Sequence, residues 1–358
     1  MKNDSALRLG FTYAGCFLGA GYVSGQELWQ FFASFGQSGG KGLLLAMLLF
    51  FIFGVILLRL IQMTGIHQMD ALVVAPEWPF LRRLTGILEV FFLFGIFVIM
   101  SAGVGALSEQ ILGIPAGWGS AVFCLIVMLV SLSGTVGMMT VFSFVVPLLV
   151  ICTVLVSLIA VTRFGWQNIE VAAGAAAAGN PLLHNWWLAA ITYVSYNIFA
   201  SIGILAPVGG MITSRKTVYR GIGAGCLVLL AIAGGIFLVL QTDPSAAASQ
   251  LPMLTVARKC GFFWYGLYAL LLLGGMFGTS LSCMVAAQHY VYERSPRMAR
   301  HRRRTAALLG LLAWLCSLFG FGDLVSTVYP ICGYCGAVAI LGLLIHYLCV
   351  KCQKSKCK

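Results

Sequence analysis

Residues 15–27 read Gly15-Cys16-Phe17-Leu18-Gly19-Ala20-Gly21-Tyr22-Val23-Ser24-Gly25-Gln26-Glu27. Four glycines fall within this short apolar stretch, and Ser24, Gln26 and Glu27 close it. Each glycine costs about 1 kcal/mol of helix propensity relative to alanine, so this is poor sequence for an uninterrupted helix. One reading is an unwound turn whose freed carbonyls and amides can hold an ion or a zwitterion. The other is close helix packing, since Gly15/Gly19 and Gly21/Gly25 are also small-xxx-small pairs.

The surrounding chain decides which kind of protein holds this stretch. Of 358 residues, 60% are apolar and 9% charged, against about 45–50% and about 25% in soluble proteins. Mean hydropathy is +0.97. Too few polar side chains exist to cover a water-soluble surface, which excludes an ordinary cytosolic enzyme, a disordered chain and a secreted disulfide scaffold. Long continuous apolar runs such as Leu43–Leu58 and Phe91–Ala106 fit spanning helices rather than the short alternating strands of a barrel. The expectation is an all-α polytopic membrane protein. The first apolar segment runs on without a small-residue cleavage site, so no cleavable signal peptide is expected.

Ten apolar segments predict ten transmembrane helices, over 8–33, 42–64, 86–112, 117–137, 140–164, 186–212, 219–241, 262–290, 305–321 and 324–349. The division between the fourth and fifth rests on Ser131–Gly137 alone. With the N-terminus inside, eighteen of the 22 lysines and arginines fall on one side and only Lys41, Arg163, Arg258 and Lys259 on the other. The positive-inside bias then places both termini in the cytoplasm of a bacterial-type plasma membrane. Net charge is +12; the cluster from Arg294 to Arg304 reads as a topology determinant touching anionic lipid, not as a nucleic-acid site. The 12 cysteines lie mostly inside apolar runs and read as small apolar residues. The tail Cys349, Cys352 and Cys357 lacks a second ligand pair for zinc.

An internal repeat favours the unwound reading. Phe11-Thr12-Tyr13-Ala14-Gly15 matches Ile191-Thr192-Tyr193-Val194-Ser195, and Ser143-Phe144-Val145-Val146-Pro147 matches Ser326-Thr327-Val328-Tyr329-Pro330, at nearly the same offset. A five-span unit is odd, so its second copy enters the membrane from the opposite side, an inverted-topology repeat. The predicted units are 1–164 (first five helices), 165–185 (extracellular connection), 186–350 (second five helices) and 351–358 (basic cytoplasmic tail). The first helix of each unit, spans one and six, is expected to break at the midplane.

Other candidate residues follow. Tyr193, Asn197 and Ser201 recur every four residues on the sixth span, with Tyr196 beside them, and a polar stripe in a span faces a cavity or a neighbouring helix. The eighth span carries Thr279, Ser280 and Ser282 at mid-depth; adjacent hydroxyls suit a hard monovalent cation, although such hydroxyls also bond back to their own helix. Glu27 is expected about 10 Å outward of Ala20. It could meet a substrate ammonium, carry a coupling proton or gate an outer vestibule, or with Gln26 bond a neighbouring helix. Glu109 reads as interfacial, and Glu89, near the inner end of the same span, is expected to snorkel or to pair with Arg82 or Arg83. The five histidines are scattered, and neither hydrolase nor ATP-binding motifs occur, so neither an enzyme nor an ATP-driven pump is expected.

Gly19-Ala20-Gly21-Tyr22-Val23-Ser24-Gly25-Gln26-Glu27, with Phe31-Phe32 following, resembles the signature of YkvI-type membrane proteins, amino acid permeases of the amino acid–polyamine–organocation superfamily. The resemblance extends along the chain through length and span count. It implies the LeuT-type fold and a secondary transporter of a small amino acid or related zwitterion working by alternating access. It also implies sodium coupling, with a proton-coupled or uncoupled carrier, or a sensor or channel, as the alternatives. Carried over by motif, the carbonyls of Gly15, Leu18 and Met276 and the hydroxyls of Thr279 and Ser280 would hold sodium, the coupling ion standing in place of any cofactor. The substrate carboxylate would meet the amides of Gly19, Ala20 and Gly21, and its amine and side chain the sixth-helix break near Asn197 and Ser201. Tyr22 departs from the pattern, since neurotransmitter-type relatives hold there an amide that serves a further sodium. That second sodium site is not carried over.

Overall fold

The computed structural model describes residues 4–66, 69–74, 78–132, 138–164, 180–210, 212, 214–243, 246 and 249–356. Helices make up its secondary structure, and each of the ten apolar segments coincides with one helical unit. The break expected within Ser131–Gly137 and most of the connection 165–185 lie outside the described residues, as does Cys357.

The first span consists of three pieces, α1 (Asp4–Phe17), α2 (Ala20–Ser24) and α3 (Gln26–Phe31). The second to fifth spans are Gln37–Thr64, Pro79–Leu112, Ala116–Ser131 and Met138–Phe164. The sixth to tenth are Trp186–Gly210, Arg215–Thr242, Phe262–Arg294, Arg302–Ser317 and Phe321–Lys356. Spans two, three, seven, eight and ten are long and apolar enough to cross a membrane on length and composition alone. Leu44, Leu48, Leu270 and Val338 stand more than half exposed on their outer faces, as lipid-facing positions should.

Much of the helix pairing recurs when span numbers are advanced by five, although the extensive sixth–tenth contact has no first–fifth counterpart of that extent among the described residues. The first span packs on the seventh and the sixth on the second. The fifth packs on the seventh and eighth, and correspondingly the tenth on the second and third. The fourth meets the eighth as the ninth meets the third, while two–seven, three–eight and four–nine map onto themselves. Such pairing accords with a five-plus-five repeat.

Small residues set the closest contacts. A Cβ on Gly10 would lie 3.0 Å from the Gly221 carbonyl oxygen and 3.2 Å from the Gly225 nitrogen, so α1 and the seventh span touch backbone to backbone. On the tenth span, a Cβ on Gly333 would lie 2.2 Å from Thr192 Cγ2, and one on Gly336 2.8 Å from the Ser195 carbonyl oxygen. The sixth and tenth spans are therefore pressed together through glycine. Gly15 and Gly19, by contrast, face open space within 4 Å, so the packing reading of that pair does not hold.

The sixth span differs from expectation. It runs as one α-helix from Trp186 to Gly210, whereas a midplane break was expected. Its central sequence, Tyr193 to Ala206, contains one glycine, against four in residues 15–25, and Ser195, Asn197 and Ser201 bond back to carbonyls of the same helix.

Candidate functional site

The interruption of the first span is built by glycine. α1 ends at Phe17, and the Leu18 amide still donates to the Ala14 carbonyl (3.1 Å). Gly19 is then extended (φ −69°, ψ 166°), no side chain caps it, and the ladder resumes where Val23 N–H meets the Gly19 carbonyl (3.2 Å). The first amides of α2 and the last carbonyls of α1 thus lack the intrahelical partners of a continuous helix. A second bend follows at Gly25, whose φ of +85° is left-handed and favours glycine. Ser24 Oγ donates to the Gly21 carbonyl (3.0 Å) and accepts from the Gln26 amide (3.3 Å), fixing this corner.

Because the chain turns at Gly25, Glu27 does not sit a turn or two outward of Ala20, as a straight helix would place it. Its carboxylate folds back over α2: a Cβ on Gly21 would meet Glu27 Oε1 at 2.0 Å. Only glycine at position 21 leaves room for it. Oε2 turns to the sixth span, accepting from Tyr196 Oη at 2.7 Å and from Tyr193 Oη at 3.4 Å. The Tyr329 hydroxyl of the tenth span interacts with the same carboxylate. Glu27 is 4% exposed, and among the described residues no ion pair to it is recorded.

Aromatic rings enclose this acid. Phe31 of α3 lies 5.2 Å from the Tyr193 ring and 5.8 Å from Tyr196. Tyr196 stacks on Tyr329 at 4.7 Å with an interplanar angle of 9°. Tyr22 faces Tyr193 at 6.5 Å and donates to the Leu229 carbonyl of the seventh span (2.8 Å). Phe31, Phe32, Tyr22 and Tyr193 are fully buried, so the region beyond the break is sealed on the α3 side. Farther along, Tyr268 of the eighth span donates to the Val23 carbonyl at 2.6 Å and meets Thr153 at 3.1 Å, tying α2 to the fifth and eighth spans.

Gly21, Tyr22, Tyr193, Tyr196 and Glu27 therefore come together as one group. Ala20 starts α2. Asn197 donates to the Tyr193 carbonyl (2.9 Å) and Ser201 to the Ile198 carbonyl (2.8 Å), both within their own helix. With the sixth span unbroken, neither borders freed backbone, contrary to expectation. Gln26 is buried against the tenth span, near Gly322, with its Oε1 unpartnered.

Of the expected cation ligands, Met276, Thr279 and Ser280 lie on the eighth span, Gly15 near the end of α1 and Leu18 just after it. The eighth span packs against α2. Ser280 is fully buried and its Oγ has no hydrogen-bond partner, whereas Ser282 bonds back to the Gly278 carbonyl (2.9 Å). Thr279 is half-buried, Met276 is buried beside Gly103 of the third span, and Leu18 is buried at the end of α1. Oxygen ligands of this kind fit a monovalent cation. Arg82 forms an ion pair with Asp70 at 3.3 Å, and Arg294 reaches the same carboxylate at 3.9 Å. The short helix Met69–Val73, between the second and third spans, supplies that acid.

Sequence reading did not single out Tyr329, Phe31 or Tyr268 as site residues. Tyr329 stood in the repeat match beside Pro330, and a tyrosine beside a mid-span proline is the signal that could have marked it.

Comparison with known proteins agrees with this architecture. No family model matches the chain. It is 27% identical over 344 residues to the uncharacterized membrane protein YkvI of Bacillus subtilis (strain 168), covering 96% of each chain. It is 26% identical to YyaD of the same organism, covering 93% of this chain and 94% of that one. Among solved structures it resembles MhsT in complex with L-phenylalanine, with a TM-score of 0.65, 16% identity and coverage of 96% and 97%. It also resembles the Eremococcus coleocola manganese transporter, with a TM-score of 0.60, 13% identity and coverage of 96% and 85%. The chain is thus a multi-pass membrane protein with the LeuT-type transporter fold, similar over nearly its whole length to YkvI.

Proposed function

We propose that the chain is a secondary transporter that carries a small amino acid or related zwitterion by alternating access, driven by sodium. The observation that carries this reading is the interrupted first helix, open at Gly15 and Gly19, in a fold shared with transporters. The buried, unpartnered Ser280 hydroxyl on the adjoining eighth span supports the choice of ion, because an unsatisfied polar group at depth is costly unless a ligand meets it. Gly15, Leu18 and Met276 supply carbonyls to that ion, and Thr279 and Ser280 supply hydroxyls. Sodium and substrate then raise each other's affinity by the same factor. Both termini face the cytoplasm on this reading. The basic turn Pro296–Arg300, with none of its residues buried, meets anionic headgroups there.

The test is uptake of labelled amino acids into proteoliposomes under sodium, potassium or proton gradients. Sodium-stimulated uptake that disappears in Thr279→Ala/Ser280→Ala supports the assignment. Unchanged sodium dependence in that double variant refutes it.

A further inference from the structure

We infer that Glu27 receives the ammonium group of the transported molecule, so that the cationic amine is the obligatory recognition element and the carboxylate a dispensable one. The inference rests on the carrier reading above and names its substrate class.

The sixth span is the starting point. Because it is unbroken, it offers no freed carbonyls to an amine, and Asn197 and Ser201 turn their donor groups back onto their own helix, leaving only neutral side-chain oxygens there. An ammonium desolvated at this depth needs an anionic or strongly polar partner. Glu27 supplies one. Its Oε2 is held by Tyr196 and Tyr193, while Oε1 lies against Gly21, in the first turn of α2 just past the break. The tyrosine hydroxyls donate to the carboxylate and so orient it. Around it stand the faces and edges of Phe31, Tyr22, Tyr193, Tyr196 and Tyr329. A carboxylate inside an aromatic enclosure is a cation receptor, since ring quadrupoles and the full charge act together. An anion at the same place meets repulsion from Glu27, which leaves the amides of Gly19 and Ala20 as the farther contact for any carboxylate the substrate carries.

The experiment measures binding, not transport. The full-length protein in nanodiscs is titrated calorimetrically with two matched sets: L-phenylalanine, phenethylamine and 3-phenylpropanoate, and L-alanine, ethylamine and propanoate. Within at least one set, the amine is expected to bind within about tenfold of the amino acid, and the acid not to bind. Glu27→Gln is expected to weaken amine binding by about tenfold or more. Glu27→Asp, which keeps the charge on a shorter arm, should recover part of the loss, and the melting temperatures of the variants show that they remain folded. Acids that bind as well as amines, amine binding untouched by Glu27→Gln, or no binding by any ammonium probe would each overturn the inference. So would a Glu27→Gln protein that binds amines normally but loses proton dependence of uptake, which would assign the acid to coupling. Amine binding without accumulation in vesicles would sink the carrier reading and leave this inference standing; uptake of an amine-free solute would do the reverse.

Discussion

Gly21→Ala tests the folded-back carboxylate directly. An alanine Cβ there would stand 2.0 Å from Glu27 Oε1, 2.8 Å from Cδ and 3.1 Å from Cγ. Ordinary carbon–oxygen contact is well over an ångström longer, so the carboxyl group must leave. Leaving breaks the 2.7 Å bond from Tyr196 and the weaker 3.4 Å bond from Tyr193. A hydrogen bond to a charged group contributes about 1.5–3 kcal/mol. Alanine returns about 1 kcal/mol of helix propensity, so the net cost is about 0.5–2 kcal/mol. With Glu27 already replaced by alanine, the obstacle is gone and the same Gly21→Ala change should be neutral or stabilising by up to about 1 kcal/mol. The assay is a double-mutant cycle on the purified protein, read by denaturant-induced unfolding in detergent. A coupling of about 1.5–3 kcal/mol is expected. An equal cost for Gly21→Ala in both backgrounds would refute the placement of the carboxylate over α2.

Three further outcomes are expected. Ser280→Ala removes a buried hydroxyl without a partner, so in sodium-free buffer it should be neutral or stabilising by about 1 kcal/mol, while the stabilisation that sodium chloride gives the parent protein should vanish; a midpoint that still rises with sodium contradicts the ligand role. Gly333→Ala drives a methyl group into Thr192 Cγ2 and to 2.5 Å from the Thr192 carbonyl oxygen, which should cost about 1–3 kcal/mol or more and appear as a loss of monodisperse protein on size exclusion. Tyr268→Phe strands the buried Val23 carbonyl and should lower unfolding stability by about 1–3 kcal/mol, with faster hydrogen exchange in α2; unchanged exchange there would show that α2 is held by other contacts.

The ten spans and the interrupted first helix were legible in the sequence because both follow from local chemistry. Apolar length sets a span, and clustered glycine sets a break. The depth of Glu27 was not legible by counting residues along a helix, since a single left-handed residue, Gly25, redirects the chain in between. The unbroken sixth span shows the opposite failure. Repeat logic carried the break across from the first half, but the local sequence of Tyr193–Ala206 lacks the glycines that made it, and local chemistry prevailed. Tyr329 was out of reach for a third reason: it belongs to the site through tertiary packing of the tenth span on the sixth, which no short-range pattern encodes. The close glycine contacts likewise involve Gly10, Gly221 and Gly225 rather than the more conspicuous Gly15 and Gly19, because partner geometry selects among small residues.

The glycine seam between the sixth and tenth spans has a mechanical corollary. Two rods whose backbones touch at Gly333 and Gly336 cannot slide past each other without collision, so Tyr193, Tyr196 and Tyr329 ride on a single plate. Glu27 rides on α3, a separate short lever hinged at Gly25. On the proposed carrier reading, a movement of α3 away from this pair would release all three phenols together rather than in succession. The grip on Glu27 would then be all or none.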